Sequence, residues 1–101
     1  WHTLLDDRDS YLEASATAGF AYGILKAVRK RYLSRDYLPM AELAVKGVVN
    51  HINEDGELTQ VSFGTAMGSD LDYYRQIPLT SMPYGQAMAL LCLTEYLRVY
   101  L

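Results

Sequence analysis

The sequence contains little of the chemistry on which metal sites and disulfide frameworks depend. Among its 101 residues are one cysteine and two histidines. A single cysteine cannot form an intrachain disulfide, so nothing in the sequence indicates an oxidising compartment. His2, His51 and Cys92 are spread along the chain and match no known ligand spacing. We therefore expect no metal and no organic cofactor.

The chain also lacks an excess of positive charge and a long apolar run. Its net charge of −3 offers no general attraction for nucleic acid or anionic lipid. The one basic run, residues 26–31, falls at the end of a predicted helix, where cations suit the helix dipole, although a phosphate site is the alternative. No uncharged run approaches the ~20 residues that span a bilayer, and no signal peptide is recognisable. These absences predict a cytoplasmic protein that binds neither nucleic acid nor membrane.

The composition is that of a globular protein. Half of the residues are apolar and 21% are charged, which predicts a single segment, residues 1–101, within one domain. Cys92 lies inside the apolar run 87–93 and is expected to be a small buried side chain. Because the chain opens on Trp1 and not on methionine, we expect it to be part of a longer protein.

The first predicted helix covers residues 12–33. Its first turns consist almost entirely of small uncharged residues, which is typical of a helix buried on most sides. Larger side chains recur at every fourth position, as on one helix face: Phe20, Ile24, Val28 and Tyr32. Ser10 is the predicted N-cap, and Glu13, three residues later, completes a capping-box pattern.

Two more helices and one extended segment follow. Residues 39–53 predict an amphipathic helix with Met40, Leu43, Ala44, Val48 and Ile52 on its apolar face. Residues 57–63 alternate polar and apolar side chains, as in a short strand, and residues 64–81 form a long loop. Residues 83–100 predict a helix whose apolar face contains Ala87, Leu90, Leu91, Thr94, Leu97 and Leu101. The order of buried, amphipathic and buried helices favours an incomplete ring of inner and outer helices.

Four segments carry a resemblance to a known family. They are Trp1-His2 with Leu5-Asp6, the run DSYLEASAT at residues 9–17, Gly64-Thr65 with Asp70 and Tyr73-Tyr74, and the closing helix. In order and spacing they resemble glycoside hydrolase family 105, which is related to family 88. The resemblance implies an all-α fold, the C-terminal part of an (α/α)6 barrel with alternating inner and outer helices, one short extended segment and a long loop.

The resemblance also implies an activity. Such enzymes remove an unsaturated uronic acid from the non-reducing end of oligosaccharides that a polysaccharide lyase has released from pectin-like polymers. Protonation and hydration of the C4–C5 enol ether cleave the sugar, a chemistry distinct from two-carboxylate displacement. The family's aspartate acid and base lies in an earlier part of the barrel, so we assign no catalytic residue here. The expected partners are the oligosaccharide and the remaining N-terminal part of the barrel.

Three candidate substrate-binding residues lie near the start of the chain. Trp1 offers a flat face to a pyranose ring, or alternatively caps the helix bundle. His2 can hydrogen-bond a sugar hydroxyl or the uronate. Glu13 faces either the sugar or its own helix as a cap. The neighbouring acids Asp6 and Asp7 are interpreted as ordinary solvated charges.

The other three candidates lie together in the long loop. Tyr73 and Tyr74 are aromatic platforms, and Arg75 is a cation suited to a carboxylate. In the alternative interpretation, one tyrosine packs inward while the other and Arg75 face solvent. The loop departs from the family at Ala66-Met67 and at residues 79–85, and these departures leave the linked sugar undefined.

A function of another class is compatible with the same residues. Helical rings also serve as scaffolds, so a non-catalytic interaction module is the alternative to a hydrolase. Such a module should fold alone, whereas part of a barrel should associate through its uncovered helices.

Overall fold

A computed structural model describes all 101 residues. Its helices are α1 (Ala14–Arg29), α2 (Leu38–Asn50), α3 (Leu71–Arg75) and α4 (Pro83–Tyr100), and a short 3-10 turn, Arg35–Tyr37, precedes α2. The strands β1 (Val61–Ser62) and β2 (Leu79–Thr80) pair antiparallel, with Val61 opposite Thr80. The predicted helical fold with a short extended segment and a long loop is confirmed. None of the helices has the length and hydropathy needed to cross a membrane.

Helix α1 forms the centre of the structure and packs against α2 on one side and α4 on the other. Its buried positions are mostly small: Ala14, Thr17, Ala18, Ala21, Leu25 and Val28. Small side chains let the neighbouring helices approach α1 closely. They therefore occupy most of the buried positions of α1, although the helix also contains larger apolar residues. The predicted apolar face was wrong in part, because Phe20 is 47% exposed and Tyr32 81% exposed. Only Val28 of that set is buried.

The ends of α1 also differ from the prediction. The N-cap is Glu13, whose carboxylate accepts from the backbone N–H of Ala16, so the prediction of Ser10 as the cap was wrong. The helix ends at Arg29, four residues earlier than predicted, because the chain turns at Arg31 with a φ of 66°. The N–H groups of Arg31 and Tyr32 then bond back to Val28 and Ala27, which satisfies carbonyls at the helix end.

Helices α2 and α4 lie close to their predicted bounds, and the predicted apolar face is buried in part in α2, at Ala44 and Val48, but not in α4. Helix α2 buries Leu38, Ala41, Ala44, Val45 and Val48, while Met40 and Leu43 of the predicted face are exposed. Helix α4 buries Gly85, Ala89, Cys92 and Glu95, and its larger residues Leu90, Leu91, Leu97 and Leu101 are exposed. Periodicity located both helices. For α4 it did not identify the buried face, because that face carries small side chains and one carboxylate.

A buried ion pair joins α1 to α4. Glu95 is 2% exposed and accepts a hydrogen bond from Nε of Arg29, and Nη1 of Arg98 lies 3.8 Å from its second carboxylate oxygen. The hydrogen bond to Glu95 raises the pKa of Arg29. A carboxylate at this depth requires such a partner, since an unpaired charge would be strongly destabilising there.

Candidate functional site

The first residues form an ordered loop in front of α1. We call residues 3–11 the opening loop. Its base is closed by backbone hydrogen bonds from Thr3 to Tyr11 (2.9 Å) and from Glu13 to Trp1 (3.0 Å). Inside it, Ser10 is 4% exposed and its Oγ donates to the carbonyl of Asp7 at 2.6 Å. Ser10 therefore stabilises the loop and does not cap the helix.

Trp1 is both a packing residue and a wall of a cavity. Its backbone nitrogen donates to Oγ1 of Thr17 at 2.7 Å. Its ring meets Phe20 edge to face, with 5.2 Å between the centroids. It also lines an open cavity of about 420 Å³ beside Leu5, Gly19, Phe20, Gly23, Ile24 and Leu33. The two roles predicted for Trp1, structure and sugar contact, are therefore compatible with one position.

His2 is held in a defined orientation. Its Nδ1 lies 2.6 Å from the carbonyl oxygen of Ser10. Because a carbonyl only accepts, Nδ1 carries the proton in this contact, and Nε2 of the neutral ring remains an acceptor. The carbonyl of Ser10 thus fixes the orientation of the His2 ring.

Glu13 is fully engaged within the chain. It is 6% exposed. Its carboxylate accepts from Oγ of Ser15 at 2.8 Å, from the N–H of Ala16 at 2.6 Å and from the N–H of Ser62 at 2.9 Å. The positive end of the α1 dipole adds to these donors. In this arrangement Glu13 caps its own helix, as the alternative interpretation held, and also fastens β1 to it.

Ser62 connects three segments that are distant in the sequence. Besides the bond to Glu13, its Oγ lies 2.8 Å from the hydroxyl of Tyr11, and its carbonyl accepts from the hydroxyl of Tyr84. Burial and the nearby charge of Glu13 raise the pKa of Tyr84. We call Tyr11, Glu13, Ser62 and Tyr84 the Ser62 cluster. Sequence reasoning missed it, because Glu13 and Ser62 are 49 positions apart and no local pattern connects them.

The second loop is also closed at its base. We call residues 63–78 the long loop. The N–H of Phe63 donates to the carbonyl of Pro78 at 2.8 Å, next to the β1–β2 pair. Within the loop, Asp70 caps α3 by accepting from the N–H of Tyr73 at 3.0 Å. The loop is therefore ordered by a small helix of its own, as loops of this length often are.

The two tyrosines of α3 differ in their surroundings. Tyr74 is partly buried, and its hydroxyl accepts from the N–H of Gly68 at 3.0 Å. Tyr73 is 40% exposed and meets Tyr74 edge to face at 5.3 Å. A Cβ at Gly68 would lie 2.2 Å from Cδ1 of Tyr73, so this turn requires glycine. Tyr73 is consequently the more accessible platform of the pair.

Arg75 contacts two carboxylates. Its Nε donates to Asp7 at 2.7 Å and its Nη1 to Asp72 at 2.8 Å. The hydrogen bond from Arg75 holds the pKa of Asp7 below its ordinary value. Asp7, which the sequence suggested is a solvated charge, is partly exposed and paired with Arg75, whereas Asp6 is exposed and has no ion-pair partner. The partners are 68 positions apart, so only the fold brings them together.

The predicted site residues therefore form two groups, one flanking the opening loop and one within the long loop. Trp1, His2 and Glu13 lie at the entrance of α1, where Trp1 and Glu13 line one small cavity. Tyr73, Tyr74 and Arg75 lie on α3, and the Asp7–Arg75 pair connects the groups. No three histidine, cysteine or acidic side chains lie close enough to hold a metal ion.

Two other sequence features are placed by the structure. Cys92 is buried as predicted, and its burial raises the pKa of the thiol to about 11. A reactive thiolate would need the opposite shift. The basic run lines a cavity of about 670 Å³ at the end of α1, with Arg29, Arg31, Arg35 and Arg98 among its residues. Two of these guanidinium groups face Glu95, which fits a helix end better than a phosphate site.

Comparisons with known proteins match nearly the whole chain. A sequence model of Glycosyl Hydrolase Family 88 matches residues 1–100. An unsaturated rhamnogalacturonyl hydrolase of Bacillus subtilis (strain 168) is 34% identical over 99 residues, which cover 97% of this chain and 27% of that protein. The chain therefore spans about a quarter of the length of this curated relative.

Solved structures give the same result. A possible member of the GH105 family from Salmonella enterica serovar Paratyphi A matches all of this chain at 75% identity and a TM-score of 0.96, over 27% of its own length. A family 105 glycoside hydrolase of C. acetobutylicum matches 97% of this chain at 30% identity and a TM-score of 0.85, over 31% of its length. The chain thus has the fold of part of an (α/α)6 barrel, as the sequence resemblance implied.

Proposed function

The chain belongs to glycosyl hydrolase family 88, and on this premise we propose that the full-length protein containing it hydrolyses unsaturated uronyl oligosaccharides. The observation that carries the proposal is the family match over residues 1–100, together with the position of Trp1 and His2 beside the opening loop at the entrance of α1. The activity named for the Bacillus subtilis relative supports the same substrate class.

The proposed reaction is hydration of a double bond. A carboxylic acid donates a proton to C4 of the unsaturated sugar, and the oxygen of a water molecule adds to C5. The water proton returns to the carboxylate, the hemiketal opens at its bond between C5 and the ring oxygen, and the hemiacetal left at C1 then releases the linked sugar. Glu13 and Asp7 are already engaged by donors of this chain, so we assign neither to proton transfer. We place the acid and base on an aspartate elsewhere in the full-length protein.

Trp1 and His2 are the residues we propose to contact the sugar directly. The Trp1 ring lines an open cavity and can pack against the C–H groups of a pyranose. His2, fixed through Nδ1, offers Nε2 to a hydroxyl group. Tyr73 is a further exposed platform. For Glu13, we propose a positioning role at the base of the opening loop.

The remaining part of the barrel is the proposed partner of the uncovered helix faces. The exposed apolar side chains on α2 and α4 include Met40, Leu43, Val49, Leu90, Leu91 and Leu97. Faces of this kind are covered in an (α/α)6 barrel by neighbouring helices. We therefore propose that residues 1–101 alone are inactive and associate through these faces.

The test is an assay of the full-length protein with unsaturated disaccharides. A C4–C5 unsaturated digalacturonide and an unsaturated rhamnogalacturonan disaccharide are incubated with the enzyme, and the ultraviolet absorbance of the double bond is followed. We expect absorbance to fall as free sugar is released, with no cleavage of the saturated analogues. Persistence of the chromophore with both substrates would contradict the proposal and favour the non-catalytic module.

A matched pair of variants tests the proposed sugar contact. Trp1→Ala should raise KM about tenfold, because it removes the aromatic wall of the cavity. Trp1→Phe keeps an aromatic face and should raise KM less. An equal KM in the wild-type protein and both variants would remove Trp1 from the sugar site.

A further inference from the structure

We infer that the Asp7–Arg75 ion pair is a latch between the opening loop and the long loop, and that it positions the opening loop for the sugar. We call residues 6–8 and helix α3 the tips of the two loops. The inference rests on the proposed function, since the opening loop orients His2, one of the proposed sugar contacts, through the carbonyl of Ser10. It assigns Asp7 and Arg75 as positioning residues and not as catalytic residues.

The bases of the two loops are fixed independently of this pair. Thr3–Tyr11 and Phe63–Pro78 close the loops through backbone hydrogen bonds. The Ser62 cluster then joins both bases to α1 and α4. Removing a contact at the tips should therefore leave these base contacts intact.

The tips have a single polar connection. Between residues 3–10 and residues 63–78, the Asp7–Arg75 contact is the only hydrogen bond or ion pair in the structure. Asp7 is also tied into its own loop, since its Oδ1 accepts from the N–H of Asp9 at 2.9 Å and its carbonyl accepts from Ser10 at 2.6 Å. A displacement of Asp7 should therefore also displace Ser10, whose carbonyl oxygen orients His2.

Asp72 provides an internal control for the role of Asp7. It accepts from the same guanidinium at 2.8 Å, but it lies on α3 three residues before Arg75 and is 72% exposed. Its removal takes away a comparable ion pair and leaves the connection between the loops in place. A difference between the Asp7 and Asp72 variants therefore reports the connection and not the loss of a negative charge.

The latch predicts the direction of the effect on substrate affinity. If Asp7 positions the opening loop, Asp7→Asn should raise KM about fivefold and change kcat little, because an exposed pair contributes modestly and the chemistry lies elsewhere. If Asp7 merely occupies Arg75, the same variant would free the cation for the uronate and lower KM. A rise in KM would thus indicate that Asp7 positions the opening loop, and a fall in KM that Asp7 only occupies Arg75.

The experiment compares full-length Asp7→Asn, Asp72→Asn, Arg75→Gln and the double variant Asp7→Asn/Arg75→Gln. We expect KM to rise in Asp7→Asn and Arg75→Gln, to rise no further in the double variant, and to stay at the wild-type value in Asp72→Asn. Raising the salt concentration should increase KM of the wild-type protein and of Asp72→Asn but not of Asp7→Asn. Equal KM in Asp7→Asn and Asp72→Asn, or a lowered KM in Asp7→Asn, would overturn the latch.

Hydrogen exchange gives a second measurement that needs no activity. Amides of residues 4–10 should exchange several-fold faster in Asp7→Asn than in the wild-type protein, and at the wild-type rate in Asp72→Asn. If the wild-type protein leaves every chromophore intact while this exchange pattern appears, the proposed function fails and the connection between the loops stands. If the chromophore is consumed but the exchange of residues 4–10 is unchanged, the latch fails alone.

Discussion

The bases and the tips of the two loops are held by carboxylates in contrasting ways. At the base, Glu13 is 6% exposed and accepts from backbone N–H groups of Ala16 and Ser62, with no cation in contact. At the tip, Asp7 is paired with Arg75, and their side chains are 22% and 38% exposed. One carboxylate is held by the backbone and the other by an ion pair.

The difference has energetic consequences. Buried donors left without an acceptor carry the full cost of desolvation, so contacts at the base should be strong and insensitive to salt. A partly exposed ion pair is screened by water and ions, so the contact at the tip should be weak and salt-dependent. The base is therefore suited to defining the fold and the tip to adjusting a loop.

The largest expected effect comes from removing the carboxylate at the base. Glu13→Ala removes the N-cap of α1 and leaves the buried N–H of Ser62 without its acceptor. We expect the free energy of unfolding to fall by about 3 kcal/mol, measured by urea unfolding of the full-length protein. Glu57→Ala is the matched control, since Glu57 is exposed and its side chain makes no hydrogen bond. Similar losses in both variants would contradict a special role for Glu13.

A substitution between α4 and β1 tests the packing of the same base. A Cβ at Gly85 would lie 2.8 Å from Cγ2 of Val61, and Val61 is fully buried. Gly85→Ala should therefore lower the free energy of unfolding by about 2 kcal/mol through overpacking. Gly47→Ala is the opposite control, because a Cβ there meets nothing within 4 Å in a helix, and alanine should stabilise by about 0.5–1 kcal/mol. If Gly85→Ala stabilised the protein as Gly47→Ala is expected to do, the base would tolerate the added carbon.

A smaller effect is expected from one hydroxyl of the Ser62 cluster. Tyr84→Phe removes the donor to the carbonyl of Ser62 and keeps the ring. The free energy of unfolding should fall by about 1 kcal/mol. Tyr32→Phe, at a side chain that is 81% exposed and makes no hydrogen bond, should leave it unchanged. If the two variants unfold at the same urea concentration, the hydrogen bond from Tyr84 contributes less to the free energy of unfolding than expected.

The sequence predicted the helices better than the faces they bury. Hydrophobic periodicity located α2 and α4 to within a few residues, because it depends only on local spacing. It selected Leu90, Leu91 and Leu97 for the core, whereas α4 buries Gly85, Ala89, Cys92 and Glu95. Small residues allow close helix contact but carry little weight in a hydrophobic pattern. The buried faces followed from packing, which the pattern does not contain.

The candidate site shows the same division between local and distant information. The capping role of Glu13 was among the sequence interpretations, because a cap acts within one helical turn. Its bond to Ser62 and the pairing of Asp7 with Arg75 join residues 49 and 68 positions apart. No motif marks such pairs, and Asp7 differs from its exposed neighbour Asp6 only through the fold.

The pH dependence of the tip is the smallest expected effect and contrasts most directly with the base. Arg75 lowers the pKa of Asp7 below 3.8, its ordinary value. The ionised carboxylate therefore stabilises the folded state above that value, and the contribution is lost as the pH falls through the lower folded-state pKa. The difference in unfolding midpoint between the wild-type protein and Asp7→Asn should be constant from neutral pH down to about 4 and should vanish in stronger acid. High salt should reduce the same difference at neutral pH, since the pair is partly exposed. If the difference persists in acid and in high salt, Asp7 acts through its hydrogen bonds with Asp9 and Ser10 and not through its charge. The contact between Asp7 and Arg75 would then not be an ionic counterpart to the backbone contacts of Glu13.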